Sequence, residues 1–191
     1  MNSKVKVLLL AVTASVMTLG LIAGACSPND PEQDGLALGR ITALTAVPGQ
    51  STEPGKPAPD FQFKDPEGRA SSLGELKGKP VLLNFWATWC GPCVHEMPFI
   101  QEIYDEWSDK GLVILAIDVG ESSATVKRFL QEHGFSFPVI LDTGKIVAAK
   151  YNIRGYPTTF LINQDGEIVG YKVGAFRSKE EIESGIRVVL P

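Results

Sequence analysis

Two cysteines three positions apart, Cys90 and Cys93, are the residues whose type and spacing most directly predict chemistry. They follow an apolar run of strand length, residues 81–86, and the spacing of apolar residues after them predicts a helix over 91–109. A helix amino terminus carries partial positive charge and unpaired N–H groups, which stabilise a thiolate at the first cysteine. Cys93, one turn further along, is placed to attack a mixed disulfide formed at Cys90. The pair can therefore cycle between dithiol and disulfide.

Other interpretations of this pair are a static disulfide, a metal site or two inert thiols. The only other cysteine, Cys26, lies far upstream, so a tetrahedral zinc site lacks ligands and we expect no metal. A static disulfide is unusual at a strand-to-helix turn. Soft thiolates select Cu(I), so a copper-binding or copper-chaperone protein that uses Cys90, Cys93 and His95 remains an alternative to redox activity.

Two segments resemble signatures of the thioredoxin superfamily. Residues 85–93, FWATWCGPC, resemble its active-site segment, and residues 155–159, GYPTT, resemble the loop that carries a cis-proline. The resemblance implies that Pro157 lies beside the cysteines and that Tyr156, Pro157 and Trp89 contribute to substrate binding. It implies catalytic roles for Cys90 as nucleophile and Cys93 as resolving thiol.

The residues after the second cysteine, CVHEMP at 93–98, are similar to the C-x-x-E-x-P arrangement of the TlpA/ResA-like extracytoplasmic thiol–disulfide oxidoreductases. Glu96 lies three residues after Cys93, so a helix places both on one face and Glu96 is the third predicted catalytic residue. Its alternative is an ordinary solvated carboxylate. Thioredoxin itself has a buried aspartate where this chain has Asn84, which cannot take a proton and is expected to be a hydrogen-bonded core residue. We expect His95 at the surface.

The surrounding pattern predicts an α/β domain with a thioredoxin-like fold. Strands and helices alternate, which favours a mixed central sheet flanked by helices. An added N-terminal β-hairpin at 61–72 and an extra βα insertion at 122–141 fit the TlpA/ResA-like branch. The remaining predicted elements are strands 81–86 and 112–117, a short helix at 145–150, a closing hairpin at 158–173 and a last helix from Ser178.

The amino terminus is typical of an export signal. Lys4 and Lys6 precede an uncharged run that ends in small residues directly before Cys26. Residues 21–26, LIAGAC, resemble a bacterial lipobox, which implies lipid attachment at Cys26, although Ala23 stands where leucine is preferred. We therefore predict a signal peptide at 1–25, with an uncleaved anchor or ordinary secretion as alternatives, a lipidated cysteine and flexible linker at 26–56, and the domain at 57–191.

Composition narrows the function further. The chain has 191 residues, 44% hydrophobic, with 18 basic against 22 acidic side chains, so it lacks the basic field that nucleic acid binding requires. We predict a monomeric, extracytoplasmic, membrane-tethered enzyme that reduces protein disulfides and needs no cofactor beyond the Cys90–Cys93 couple. The resemblance implies apocytochrome c as client, in cytochrome c biogenesis, and a membrane thiol reductase as electron donor. A thiol peroxidase of peroxiredoxin type is the rival enzyme, suggested by residues 135–139, FSFPV, although its P-x-x-x-T-x-x-C pattern is absent.

Overall fold

The computed structural model describes residues 36–45 and 51–190. Eight strands form one mixed sheet in the order β3-β2-β1-β6-β5-β4-β7-β8. The strands are β1 Gly39–Leu44, β2 Phe61–Lys64, β3 Ala70–Ser72, β4 Val81–Trp86, β5 Val113–Val119, β6 Val139–Asp142, β7 Thr158–Ile162 and β8 Ile168–Val173. The helices are α1 Gly91–Trp107, α2 Ser123–His133, α3 Ile146–Lys150 and α4 Lys179–Ile186, and a 3-10 turn covers Leu73–Leu76.

The centre of the sheet is its most buried part. All six residues of β4 are buried, as the apolar run predicted, because the strand pairs in parallel with β5 and antiparallel with β7. Alternate residues of β4 and β5 enter two separate hydrophobic clusters, one on each face. The first cluster contains residues of α1, α2 and α4 and both cysteines, whereas the second contains residues of α3. The predicted mixed sheet flanked by helices is thereby confirmed.

The predicted additions to the central sheet are present. Strands β2 and β3 form the expected antiparallel hairpin. Helix α2 and strand β6 form the predicted βα insertion, and β6 pairs in parallel with β5. None of the helices in the described part of the chain combines the length and apolar character that a membrane span requires.

Strand β1 corrects one expectation, because it lies inside the stretch 26–56 that we predicted as a linker. It pairs antiparallel with β2 and, through Gly39 and Arg40, in parallel with β6. Gly39 is needed there: a Cβ at this position would lie 2.5 Å from the Lys64 carbonyl oxygen and closer still to the Ile140 side chain. The amino group of Lys150 also binds the carbonyl oxygens of Thr45 and Asp60, which ties the end of β1 to α3.

Helix α1 carries the predicted site and runs on through Pro98 to Trp107. Asp142, at the end of β6, accepts three backbone N–H groups at 2.9 to 3.0 Å from the first turn of α3. Ser178 caps α4 by accepting the Glu181 N–H, as predicted, and the Glu181 carboxylate binds the backbone N–H of Arg177. These contacts satisfy the unpaired N–H groups at the helix starts.

Candidate active site

The cysteine pair lies where β4 passes into α1. Cys90 is the N-cap of α1 and is joined to Cys93 by a disulfide with an S–S distance of 2.11 Å. The backbone N–H of Cys93 points at the Cys90 sulfur, 3.2 Å away. Cys90 keeps 5% of its surface exposed whereas Cys93 is fully covered, so the first sulfur is the one that a partner can reach. An N–H group aimed at Cys90 from a helix start favours its thiolate after reduction.

A buried carboxyl lies one helical turn after the disulfide. Glu96 has no exposed surface, so it is not a solvated helix carboxylate. Its Oε1 accepts the Asn84 side-chain amide at 2.9 Å, and its Oε2 accepts the Phe176 backbone N–H at 2.8 Å. Asn84 also donates to the Thr159 hydroxyl at 2.9 Å, so it is the hydrogen-bonded core residue that we predicted. The carboxyl is thereby bound from β4 and from the loop before α4.

Burial controls the protonation of Glu96. Burial raises the pKa from an ordinary 4.5 to about 7. Removal from water destabilises the charged carboxylate more than its hydrogen bonds stabilise it. The Phe176 N–H, the Asn84 amide and the charge of Lys172 act in the opposite direction and lower the pKa. A carboxyl whose pKa is about 7 exchanges its proton near neutral pH, which suits proton transfer to or from a thiol.

The second signature loop adjoins the exposed side of the site. The Tyr156–Pro157 peptide bond is cis, as the resemblance implied. Tyr156 packs edge to face against Trp89, with ring centroids 5.8 Å apart. Trp89 is 67% exposed, which is unusual for an indole and leaves it free for contact with another molecule. Trp89 and the half-buried Tyr156 thus form one surface next to Cys90, and Pro157, the next residue in the chain, is buried behind Tyr156.

The other predicted residues fall into two groups. His95 is exposed on α1, as expected, and its ring contacts Phe99. Cys26 and the predicted signal peptide lie outside the described residues. The structure therefore packs Tyr156 against Trp89 and against the cluster that contains both cysteines. Pro157 follows Tyr156 through the cis bond, and Glu96 lies on the buried side of α1, bound to Asn84 of β4.

Sequence reasoning missed a second buried carboxyl, Asp118. It follows directly on the predicted strand 112–117, at the carboxyl end of β5, where parallel sheets place their chemistry. Asp118 has no exposed surface, and its pKa is raised to about 8, first by burial and then by the neighbouring Glu121 carboxyl. Glu121 itself accepts two hydrogen bonds from Thr88. The position of Asp118 at a strand end was the available signal.

Comparison with known proteins agrees with this geometry. A model described as the AhpC/TSA family matches residues 54–171. The protein named thiol-disulfide oxidoreductase ResA from Bacillus thuringiensis (strain Al Hakam) is 42% identical over 137 residues, which is 72% of this chain and 79% of that protein. The ResA protein of Bacillus subtilis (strain 168) is 42% identical over 125 residues, or 65% of this chain and 70% of that one.

Solved structures give the same result for the fold. A thiol:disulfide interchange protein of the thioredoxin family from Chlorobium tepidum TLS aligns with a TM-score of 0.62 at 33% identity, covering 71% of this chain and 96% of that one. The pneumococcal exposed lipoprotein thioredoxin from Streptococcus pneumoniae strain TIGR4 aligns with a TM-score of 0.58 at 30% identity, covering 68% of this chain and 98% of that one. The fold is thioredoxin-like.

Proposed function

This chain belongs to the AhpC/TSA family and is a ResA-like thiol–disulfide oxidoreductase, and on that premise we propose that it reduces disulfides in exported proteins from a membrane tether. The observation that carries the proposal is the Cys90–Cys93 disulfide at the start of α1, beside a cis-proline loop and above a buried glutamate. We propose that this couple works without a further cofactor or metal and that the protein acts as a monomer.

The exchange proceeds in two balanced steps. In the reduced protein, the Cys90 thiolate attacks one sulfur of the client disulfide, a Cys90–client disulfide forms, and the other client sulfur leaves as a thiolate. The Cys93 thiolate then attacks the Cys90 sulfur, the Cys90–Cys93 disulfide forms again, and the second client sulfur leaves. Two electrons pass from the protein to the client, and each client thiolate takes a proton. A thiol reductase in the membrane restores the dithiol by the reverse exchange.

We propose that Glu96 accepts the proton of the Cys93 thiol. The Cys93 thiol is fully covered, so its proton needs a nearby acceptor before the sulfur can attack. Glu96 lies one turn further along α1, with a pKa near neutrality. It takes the proton as Cys93 becomes a thiolate and returns it when the disulfide is reduced again.

Trp89, Tyr156 and Pro157 form the proposed client-binding surface. An exposed indole beside a nucleophilic sulfur offers apolar contact area without blocking attack. Pro157 has no N–H group, and its carbonyl oxygen already accepts the Gly174 N–H. We propose apocytochrome c as the client, because its haem-attachment cysteines must be reduced before haem is attached.

The direction of electron flow is tested by the reduction potential. We expect equilibration with glutathione to give a potential in the reducing range of thioredoxin-like dithiols, about −270 mV. A potential near the oxidising extreme, about −120 mV, would refute the reductant role.

The client is identified by trapping. A Cys93→Ser variant forms the first mixed disulfide and then stops, so in the native host it should retain a cytochrome c precursor that dithiothreitol releases. Cys90→Ser is the matched control and should trap nothing. His95→Ala should turn over like the unchanged protein, and combined with Cys93→Ser it should trap the same client. A copper chaperone would instead lose function on replacement of His95 and retain Cu(I) without a disulfide-linked partner.

The tether is tested at Cys26. Cells that express the full chain should incorporate labelled fatty acid into the protein, and Cys26→Ser should abolish the label and release the protein from the membrane fraction. Retention of Cys26→Ser in that fraction without label would instead support an uncleaved anchor. The similarity to a structure described as an exposed lipoprotein supports the lipid tether.

A further inference from the structure

Asp118 is a buried titratable side chain that has no role in the disulfide exchange described above. Its Cα pairs with Trp86 of β4 and with Leu141 of β6. On β5, Ala116 belongs to the cluster that contains both cysteines, while Ile117 and Val119 belong to the other. Side chains alternate along a strand, so Asp118 points to the face that carries the disulfide. Among the described residues, no donor lies within ordinary hydrogen-bonding geometry of either Asp118 oxygen. The groups that act on the carboxyl at short range are the side chain of Glu121, which raises its pKa, and the backbone N–H of Glu121, which lowers it.

The neighbouring carboxyl holds the loop in front of the nucleophile. Glu121 Oε2 accepts the Thr88 backbone N–H at 2.6 Å, and Glu121 Oε1 accepts the Thr88 hydroxyl at 2.7 Å. Thr88 lies two residues before Cys90, in the turn between β4 and α1. Both oxygens of Glu121 are thus engaged in fixing the segment that leads to Cys90.

Hydrogen bonding decides which of the two carboxyls keeps a proton. Two donors of Thr88 bind the carboxylate of Glu121, whereas Asp118 is fully buried and the one donor that acts on it, the Glu121 backbone N–H, offsets the effect of burial only in part. Two facing carboxylates cannot both ionise without repulsion. The proton therefore belongs on Asp118 while Glu121 carries the charge that binds Thr88.

We propose that Asp118 and Glu121 share one proton and act as a positioning pair, in which neutral Asp118 allows ionised Glu121 to hold Thr88 and the loop that leads to Cys90. When Asp118 loses its proton, the two charges repel, the contact with Thr88 weakens, and negative charge builds up on the face of the disulfide. The pair thus makes reduction of the disulfide depend on pH through a group that touches neither sulfur.

Few other charged groups face this pair. Asp142 at the end of β6 and Glu121 both oppose ionisation of Asp118. The phenol of Tyr156 is coupled to Asp118 and Asp142, whose charges, after burial, raise its pKa. A cation also lies close by, because the side chain of Lys145, at the start of α3, packs against Gly120 between the two carboxyls. The buried titratable side chains on the helices of this face are Glu96 on α1, which the Asn84 amide and the Phe176 N–H bind, and Lys127 on α2.

The first test follows the Thr88 amide proton by NMR in the oxidised full chain between pH 6 and pH 10, without any client. Its chemical shift reports the bond to Glu121 and should change with a midpoint near the raised pKa of Asp118, about 8. In Asp118→Asn, which keeps the shape and cannot ionise, the shift should stay constant. Asp109→Asn, an exposed carboxyl change, should titrate like the unchanged protein. An identical midpoint in Asp118→Asn overturns the proposal.

The second test measures the rate at which dithiothreitol reduces the disulfide. Its thiolate attacks Cys90 and Cys93 leaves as a thiolate, so added negative charge and a loosened loop both slow the step. The ratio of the Asp118→Asn rate to the unchanged rate cancels the titration of dithiothreitol itself. This ratio of rates should rise from about 1 at pH 6.5 to about 3 at pH 9.5. A threefold change corresponds to an interaction between Asp118 and the reacting disulfide of about half a pH unit. A constant ratio overturns the proposal, and failure of client trapping does not affect either test.

Discussion

The buried Glu96 carboxyl makes a quantitative prediction about stability and pH. The proposed change is Glu96→Gln, which keeps the shape of the side chain and removes its charge. Glutamine can still accept the Phe176 N–H through its oxygen, and its amide can donate to Asn84 once the Asn84 amide rotates. Because Asn84 also contacts the Thr159 hydroxyl, that hydroxyl then donates to the Asn84 oxygen. The hydrogen bonds are thus retained and the change isolates the charge.

The magnitude follows from the pKa. In the folded protein the pKa of Glu96 is about 7, against 4.5 for the ordinary group, so the difference is about 2.5 pH units. Each pH unit corresponds to about 1.4 kcal/mol, which gives about 3 kcal/mol. The folded state binds the proton more tightly than the unfolded state between these values. The free energy of unfolding of the unchanged protein therefore falls by up to about 3 kcal/mol as pH rises from about 4.5 to about 7.

The assay is urea unfolding of the oxidised protein at pH 4, 5, 6, 7 and 8. Glu96→Gln lacks this titration, so its free energy of unfolding relative to the unchanged protein should increase by about 3 kcal/mol between pH 4 and pH 8. Titration of Asp118 is common to both proteins and cancels. Glu102→Gln, on an exposed site of the same helix, should show a difference that does not vary with pH. A pH-independent difference for Glu96→Gln would refute the reasoning.

Three further changes test the packing and the surface. Gly39→Ala should cost about 2 kcal/mol in urea unfolding through collision with the Lys64 carbonyl, whereas Gly170→Ala, where a Cβ meets nothing within 4 Å, should cost less than about 1 kcal/mol. Asp142→Asn should destabilise the protein by about 1 kcal/mol at pH 7, because one amide oxygen replaces two that accept three N–H groups; unchanged thermal unfolding would contradict this. Trp89→Ala should lower kcat/KM for a protein disulfide about tenfold, while the rate of reduction by dithiothreitol and the free energy of unfolding stay unchanged. An equal loss of rate with dithiothreitol would show that Trp89 does not act through client binding.

Local periodicity was sufficient to predict most of the fold. The buried strand β4, the helix α1 and the closing β7–β8 hairpin each show an apolar pattern or a turn in sequence. Strand β1 does not, because only Gly39 in it is buried while Leu44 is 41% exposed. Its place in the sheet comes from backbone pairing with β2 and β6, which are distant in sequence. A strand held mainly by backbone hydrogen bonds carries no hydrophobic alternation to detect.

Only those contacts of the site that follow from short spacing along the chain could be predicted from the sequence. Cys90, Cys93 and Glu96 occupy one helix, so their proximity follows from helix geometry. The contact between Glu121 and Thr88 joins two different loops, and the burial of Asp118 depends on the register of β5 against β4 and β6. Neither sequence interval nor residue type determines that register.

The environment of Asn84 explains why the proton-holding group lies on the helix and not on the strand. The Asn84 amide donates to both Glu96 and Thr159 at 2.9 Å, so the strand position serves as a donor to the helix carboxyl. An aspartate at that position would place a second acceptor at hydrogen-bonding distance from Glu96, and two buried carboxylates that close cannot both ionise. A strand acid and a helix acid at this site would therefore have to share one proton. With Asn84 in the strand, no second acid competes for the proton of Glu96, and burial raises the pKa of that carboxyl against the Phe176 N–H, the Asn84 amide and the charge of Lys172.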